Sequence, residues 1–207
     1  MKRIISNERG LTLIEVLVTL VIMSIVSGVI YSVFTTGLKL YQKIGIEAQL
    51  RDDADYVATM VLNEMYNYPP NFIKKYNEDG AEGIELIRYA PKNVEGYVVE
   101  DSTKIERDLL IYFKDDHFFI EEIERVTETG TEKINIINST KLYSDSSKFT
   151  TVNGQSSSIS ISCTKPELAN QCPHGTIALN IFIGEDKERF SNLFKTEPLE
   201  LKSSFGF

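Results

Sequence analysis

Between Glu15 and Lys39 the chain carries no charged side chain. Those residues, 16–38, read VLVTLVIMSIVSGVIYSVFTTGL. At about 1.5 Å per residue they make a helix of about 35 Å, enough to cross a hydrocarbon core of about 30 Å. Ser24, Ser27 and Gly28 are small residues at which a neighbouring helix can approach closely. Lys2, Arg3 and Arg9 precede the run, so the N-terminus is expected to stay in the cytoplasm and the chain from about residue 39 to lie outside. The competing reading is a cleaved secretory signal peptide. That requires an apolar core of only about 7–15 residues and a small-x-small cleavage site, and neither fits this run.

Glu15 is the anomaly. An ionised carboxylate within a membrane costs on the order of 3 kcal/mol unless it is paired, so such a residue usually marks a functional contact. Proteolysis between Gly10 and Leu11 would create an amine one helical turn away. That amine, in the same or an adjacent copy, is a candidate partner, and the pair would register packed helices.

The segment Gly10-Leu11-Thr12-Leu13-Ile14-Glu15, behind its short basic leader, resembles the class III signal sequence of type IV prepilins and pseudopilins. The resemblance covers about residues 1–65, with Leu11 where Phe is commonest. It implies removal of residues 1–10 by prepilin peptidase, N-methylation of Leu11, and an assembly role for Glu15. It also implies partners: other pilin or pseudopilin subunits, an inner-membrane assembly platform and membrane lipid. The helix around Gln49-Leu50-Arg51 and Val57, Val61, Leu62 is loosely similar to J-type minor pseudopilins, and the presence of Glu15 argues against the K-type tip subunit.

Beyond the apolar run, Leu38, Tyr41, Ile44, Ala48, Ala54, Val57, Val61 and Met65 recur at mostly helical spacing. Pro69-Pro70 stops the helix near Asn67, because the residue before a proline is pushed out of helical geometry. Bends are expected at Gly28, Gly37 or Gly45. Asp52, Asp53 and Asp55 suit a solvated helix face better than a metal site. From about residue 80 the period becomes two: GIELIRYA, GYVVE, LLIYF, HFFIEEIERV, KINIIN, KLY, SISISC and TIALNIFI read as strands. Turns are expected at Asp115-Asp116 and at Gly130. No run long enough for a crossover helix separates the strands, so the sheet should be antiparallel. The expected fold is α+β and pilin-like: a long N-terminal helix over an antiparallel head. The organisation is leader 1–10, transmembrane half-helix 11–36, amphipathic extracytoplasmic half 37–67 and head 68–207. Residues Ser144–Ser158, rich in Ser, Thr, Gly and Asn, read as an exposed loop.

Cys163 and Cys172 flank eight residues on the outer side, where a disulfide across a hairpin is favoured over free thiols, with a purely structural role. His174 alone could not complete a metal site with them. No phosphate-binding Gly loop, G-x-S-x-G or H-E-x-x-H occurs, and His117 and His174 read as surface histidines. Catalysis, cofactor and metal are therefore not expected. Asn138-Ser139-Thr140 has glycosylation spacing, a pattern frequent by chance. The formal net charge is −8. Without the leader's Lys2, Arg3, Arg9 and Glu8, 19 basic side chains face 29 acidic ones. That balance repels phosphate backbones, and Lys74-Lys75-Tyr76 is the one compact basic-aromatic candidate, so direct nucleic-acid binding is not expected. Two functions fit: a minor pilin or pseudopilin that primes, caps or decorates a filament, or a tip subunit that binds surfaces or captures DNA during competence. An enzyme merely anchored by the helix is the poorest fit.

Overall fold

The computed structural model describes residues 12–78, 80–128, 131–142, 144, 147–164, 171–185 and 197–207. Gly10, Leu11, the basic leader and the Gly130 turn lie outside them. The chain divides into two compact units, residues 1–45 and 46–207, and the helix α1 (Leu13–Asn67) contributes to both.

In the first unit α1 is long and apolar enough to cross a membrane, and none of its most apolar span is buried. Four of its hydroxyls are satisfied within the helix: Thr19 donates to the Val16 carbonyl, Ser24 to that of Val21, and Thr35 and Thr36 to that of Ser32. This is the arrangement that lets Ser and Thr reside in lipid without unpaired polar groups. The helix is uninterrupted through Gly28, Gly37 and Gly45.

In the second unit α1 buries Leu50, Ala54, Val57 and Val61, one stripe at spacings of four, three and four. Ile46 and Met65 extend it. The expected stripe through Tyr41, Ile44 and Ala48 is displaced: all three are exposed, and Leu50 takes the core position. The buried stripe of the second unit is therefore set by Leu50, Ala54, Val57 and Val61 rather than by continuing the period of Tyr41, Ile44 and Ala48. The helix ends at Asn67, just before the two prolines.

Among the described residues all strand pairing is antiparallel, and the strands form two sheets. The first is a five-stranded meander, β1 (Phe72–Glu78), β2 (Ala81–Val94), β3 (Tyr97–Lys114), β4 (His117–Glu128) and β5 (Thr131–Leu142), in sequence order. The second centres on β8 (Gly175–Glu185). On one edge of β8 lie β6 (Ser147–Phe149) and β7 (Ser158–Cys163) in succession, and on the other β9 (Leu199–Gly206). GYVVE and LLIYF are one strand, β3, and KINIIN and KL are one strand, β5. Asp115 and Asp116 both have positive φ (48° and 58°), the backbone of a two-residue hairpin whose twist matches the flanking strands.

The buried stripe of α1, one face of the five-stranded sheet (Ile84, Leu86, Leu109, Ile111, Phe118) and one face of the second sheet (Ile159, Ile177, Leu179, Ile183) form a common core. On the other face of the first sheet Tyr76, Tyr112 and Phe119 lie side by side, with ring centroids 5.6 and 5.2 Å apart. Gly83 stands between Tyr76 and Tyr112 in register, and a Cβ there would fall 2.2 Å from the Ile111 carbonyl oxygen. Only glycine fits.

Candidate functional site

Helix α1 begins with a reciprocal cap. The Thr12 N–H and Oγ1 hydroxyl each donate to Glu15 Oε2 at 2.9 Å, and the Glu15 N–H donates to Thr12 Oγ1 at 3.4 Å. Three residues apart, Thr and Glu satisfy each other's backbone donors at a helix end that has no preceding turn. Acidic charge at this position also complements the positive end of the helix dipole. The spacing Thr-x-x-Glu was visible in the sequence as a capping box, a role that the reading of Glu15 as an intermolecular partner did not include. Glu15 is exposed and immediately followed by the apolar span.

The Cys163–Cys172 disulfide is present, with Cα atoms 5.6 Å apart. It does more than close a hairpin. Cys163 is the last residue of β7, whereas the backbone of the fully buried Cys172 exchanges two hydrogen bonds with Ile73 of β1, each 2.9 Å. The bridge therefore ties the second sheet to the edge of the first.

Of the acidic trio on α1, Asp52 and Asp55 are exposed, while Asp53 accepts hydrogen bonds from the Ser144 and Ser147 hydroxyls. Ser157 is buried and bonded both ways to Phe182. The serine-rich segment expected to be an exposed loop is thus anchored at three points, because its hydroxyls are spent on α1 and β8. A cavity of about 240 Å³ beside Asp53 is also lined by Asp115, Asp116, His117 and Lys148. His117 Nδ1 lies 2.6 Å from the Asp115 carbonyl oxygen, a contact within its own turn. Among the described residues no group of three or more His, Cys, Asp or Glu side chains is placed to hold a metal. Lys74, Lys75 and Tyr76 are divided between the two faces of β1: Lys74 and Tyr76 share one, with the Lys74 ammonium over Phe72 and the Tyr76 ring against Tyr112, and Lys75 takes the other. Ser139 of the glycosylation-like triplet donates to Glu121 within the sheet.

Sequence reasoning missed a buried charge cluster. On the face of the first sheet opposite α1, Arg125 binds Glu85 through Nη2 and Asp108 through Nε at 2.9 Å. Asp108 is 2% exposed, and its Oδ1 has no hydrogen-bond partner. Burial and the adjacent Glu85 carboxylate push its pKa up to about 6, against the opposing pull of Arg125. On the α1 face, Arg107 pairs with Glu64 at 2.8 Å and Glu122 at 3.5 Å and stacks over Tyr68, 4.2 Å from the ring centre.

With this geometry in view, residues 5–31 match the family model of the prokaryotic N-terminal methylation motif. The chain carries the class III signal of type IV pilins and pseudopilins. The matched segment takes in the Gly10–Leu11 junction, the Thr12–Glu15 cap and most of the apolar span, and stops well short of the head. No curated protein and no solved structure matches the chain. A class III signal implies processing by prepilin peptidase and assembly with other pilins. Together with the bare apolar helix it supports membrane anchoring, and it points to a structural subunit rather than an enzyme.

Proposed function

We propose that this chain is a minor pilin or pseudopilin, an assembly subunit that primes, caps or decorates a type IV pilus-like filament. The observation that carries the reading is the class III signal joined to a helix whose capped, wholly exposed apolar half needs either lipid or neighbouring helices for cover. In this reading residues 1–10 are removed between Gly10 and Leu11, Leu11 is N-methylated, and residues 11–36 span the membrane with the N-terminus in the cytoplasm. Residues 37–67 and the head at 68–207 lie outside, reaching the cell surface on assembly. A Cβ at Gly28 or Gly37 would meet nothing within 4 Å, so the helix is open there to close approach by another helix.

Glu15 then has two successive partners. In the lone subunit the Thr12 hydroxyl and N–H hold its carboxylate. On assembly the processed amine of a neighbour supplies the counter-charge that the hydroxyl cannot. The size of the head, residues 68–207, suits a subunit used in few copies more than one repeated along a shaft. A deletion strain scored for surface filaments tests the proposal. Loss or sharp reduction of filaments, restored by the full chain, supports it; filaments unchanged in number and length overturn it.

A further inference from the structure

The ladders of the first sheet do not run the full length of its strands. β1 pairs with β2 only as far as Phe72↔Ile87, and β3 pairs with β4 only as far as Asp108↔Ile123. Beyond those points β2 and β3 continue together to Val94↔Tyr97, and β4 and β5 continue together to Glu128↔Thr131. In a meander these two ribbons rise from the same end of the sheet, opposite the Asp115-Asp116 turn. Two arginines close the fork where they part: Arg107 on the α1 face, bound to Glu64 and Glu122, and Arg125 on the other, bound to Glu85 and Asp108. The β2–β3 ribbon is further set apart by a break in register between Tyr89↔Ile105 and Ala90↔Asp101.

A two-stranded ribbon is marginal in water unless something packs on it. This one exposes Tyr97, Val98 and Val99 at 76, 75 and 43%. The β4–β5 ribbon and its continuation expose Ile134, Ile136 and Ile137 at 36, 57 and 63%. Among the described residues, no large apolar side chain outside α1 is as exposed as these except Val94 and Ile105 on the same ribbon and Tyr68 beside the helix end. We infer that this fork is a docking surface for an extended, basic strand of another protein, added alongside the open edges of the two ribbons. Strand edges select an extended backbone, and the exposed β-branched side chains select alternating apolar residues. Charge selects the rest. Residues 89–106 carry Lys92 and Lys104 against Glu95, Glu100, Asp101 and Glu106, and the whole chain is −8, so a second copy is repelled and a basic segment is drawn in.

The test uses the full chain in phosphatidylcholine nanodiscs and a fluorescent nonapeptide alternating Val and Lys. It should bind at least about tenfold more tightly than a Val/Glu peptide or a Val/Lys peptide with a central Pro. The carbon-13 amide I band of the bound peptide should move to the extended-strand region. The exposed-site variant Val98→Ser/Ile136→Ser should weaken binding at least about fivefold with the circular dichroism of the chain unchanged, and Lys202→Ser on β9 should not. Equal binding of the Val/Lys and Val/Glu peptides, no binding of either, insensitivity to Val98→Ser/Ile136→Ser, or self-association of the wild-type chain that this variant abolishes would each overturn the inference.

Discussion

Replacing Glu15 by Gln, by Ala, and Thr12 by Val separates the two roles that the N-terminus of α1 combines. Gln at the third helical position of a capping box still reaches back to the backbone N–H of residue 12, so Glu15→Gln keeps the cap and removes only the charge. Glu15→Ala removes both. Thr12→Val removes the hydroxyl that makes two of the three contacts, at 2.9 and 3.4 Å, and leaves the carboxylate in place. Loss of the cap costs about 1 kcal/mol of helix stability. Loss of the charge relieves a lone subunit in lipid by about 3 kcal/mol, whereas a buried amine deprived of its counter-charge costs about 3–5 kcal/mol. The charge term exceeds the cap term, so the two Glu15 variants should behave alike and Thr12→Val should be milder. The assay is fractionation of cells expressing each variant, with processed protein measured in the membrane and in sheared filaments. Glu15→Gln and Glu15→Ala should be inserted and processed normally but fall at least about tenfold in filaments, while Thr12→Val falls severalfold or less. Entry of Glu15→Gln into filaments at wild-type level, with Glu15→Ala excluded, would show that the carboxylate acts as a helix cap and would refute the pairing.

Mass spectrometry of assembled protein should find a methylated Leu11 as the N-terminal residue; an intact Met1 would sink the processing site. Cys163→Ser/Cys172→Ser should lower the stability of the head by about 2.5–3 kcal/mol, the loop-closure value for a separation of 9 residues, seen as a drop of about 5–10 °C in melting temperature. Gly83→Ala should destabilise by about 3 kcal/mol or more, since the β2–β3 backbones must separate to clear a 2.2 Å contact, and denaturant unfolding would measure it. Asp108 binds its proton more tightly folded than unfolded, because its pKa is raised to about 6. Its contribution to stability is therefore present in full below the unfolded carboxylate pKa and is lost as pH rises through about 6. Asp108→Asn should flatten the stability difference between pH 5 and pH 7 and stabilise the head at pH 7; an unchanged slope in that window would count against the proton on Asp108.

The helix and its end were legible because local chemistry decides them: an uninterrupted apolar run, then two prolines. The hairpin at Asp115-Asp116 was legible for the same reason, since its positive φ values suit Asp and the flanking residues alternate. What sequence did not reveal depends on residues far apart in the chain. The face of α1 that meets the head is selected by the sheets, which take Leu50, Ala54, Val57 and Val61. The division into two sheets is set by β6, three residues long, and by β9, whose Lys and Ser hide an alternation that turns Leu199, Leu201 and Phe205 toward the core. The serine-rich stretch looked like a loop because serine is polar, yet Ser144 and Ser147 reach Asp53 across more than ninety residues of chain. The Thr12–Glu15 cap is the opposite case: its three-residue spacing is entirely local, and the carboxylate's position in an apolar run drew attention away from it.

The charges at the fork stand where the sheet divides. Where β3 and β4 separate, the next pair in the ladder would place Arg107 opposite Glu124. The ladder instead stops at Asp108↔Ile123. Arg107 draws α1 and β4 together through Glu64 and Glu122, and Arg125 draws β2 and β3 to β4 through Glu85 and Asp108. A buried ion pair is a weak source of net stability, because desolvation offsets most of the attraction, and here two carboxylates share one guanidinium. Such a cluster discriminates between arrangements instead. Extending the ladder by a register step would pull Arg125 from Asp108 and leave a carboxylate that is already 2% exposed without its cation, a cost on the order of 3–5 kcal/mol. The point at which the sheet divides is thereby held to one register, and the ribbons beyond it keep their open edges.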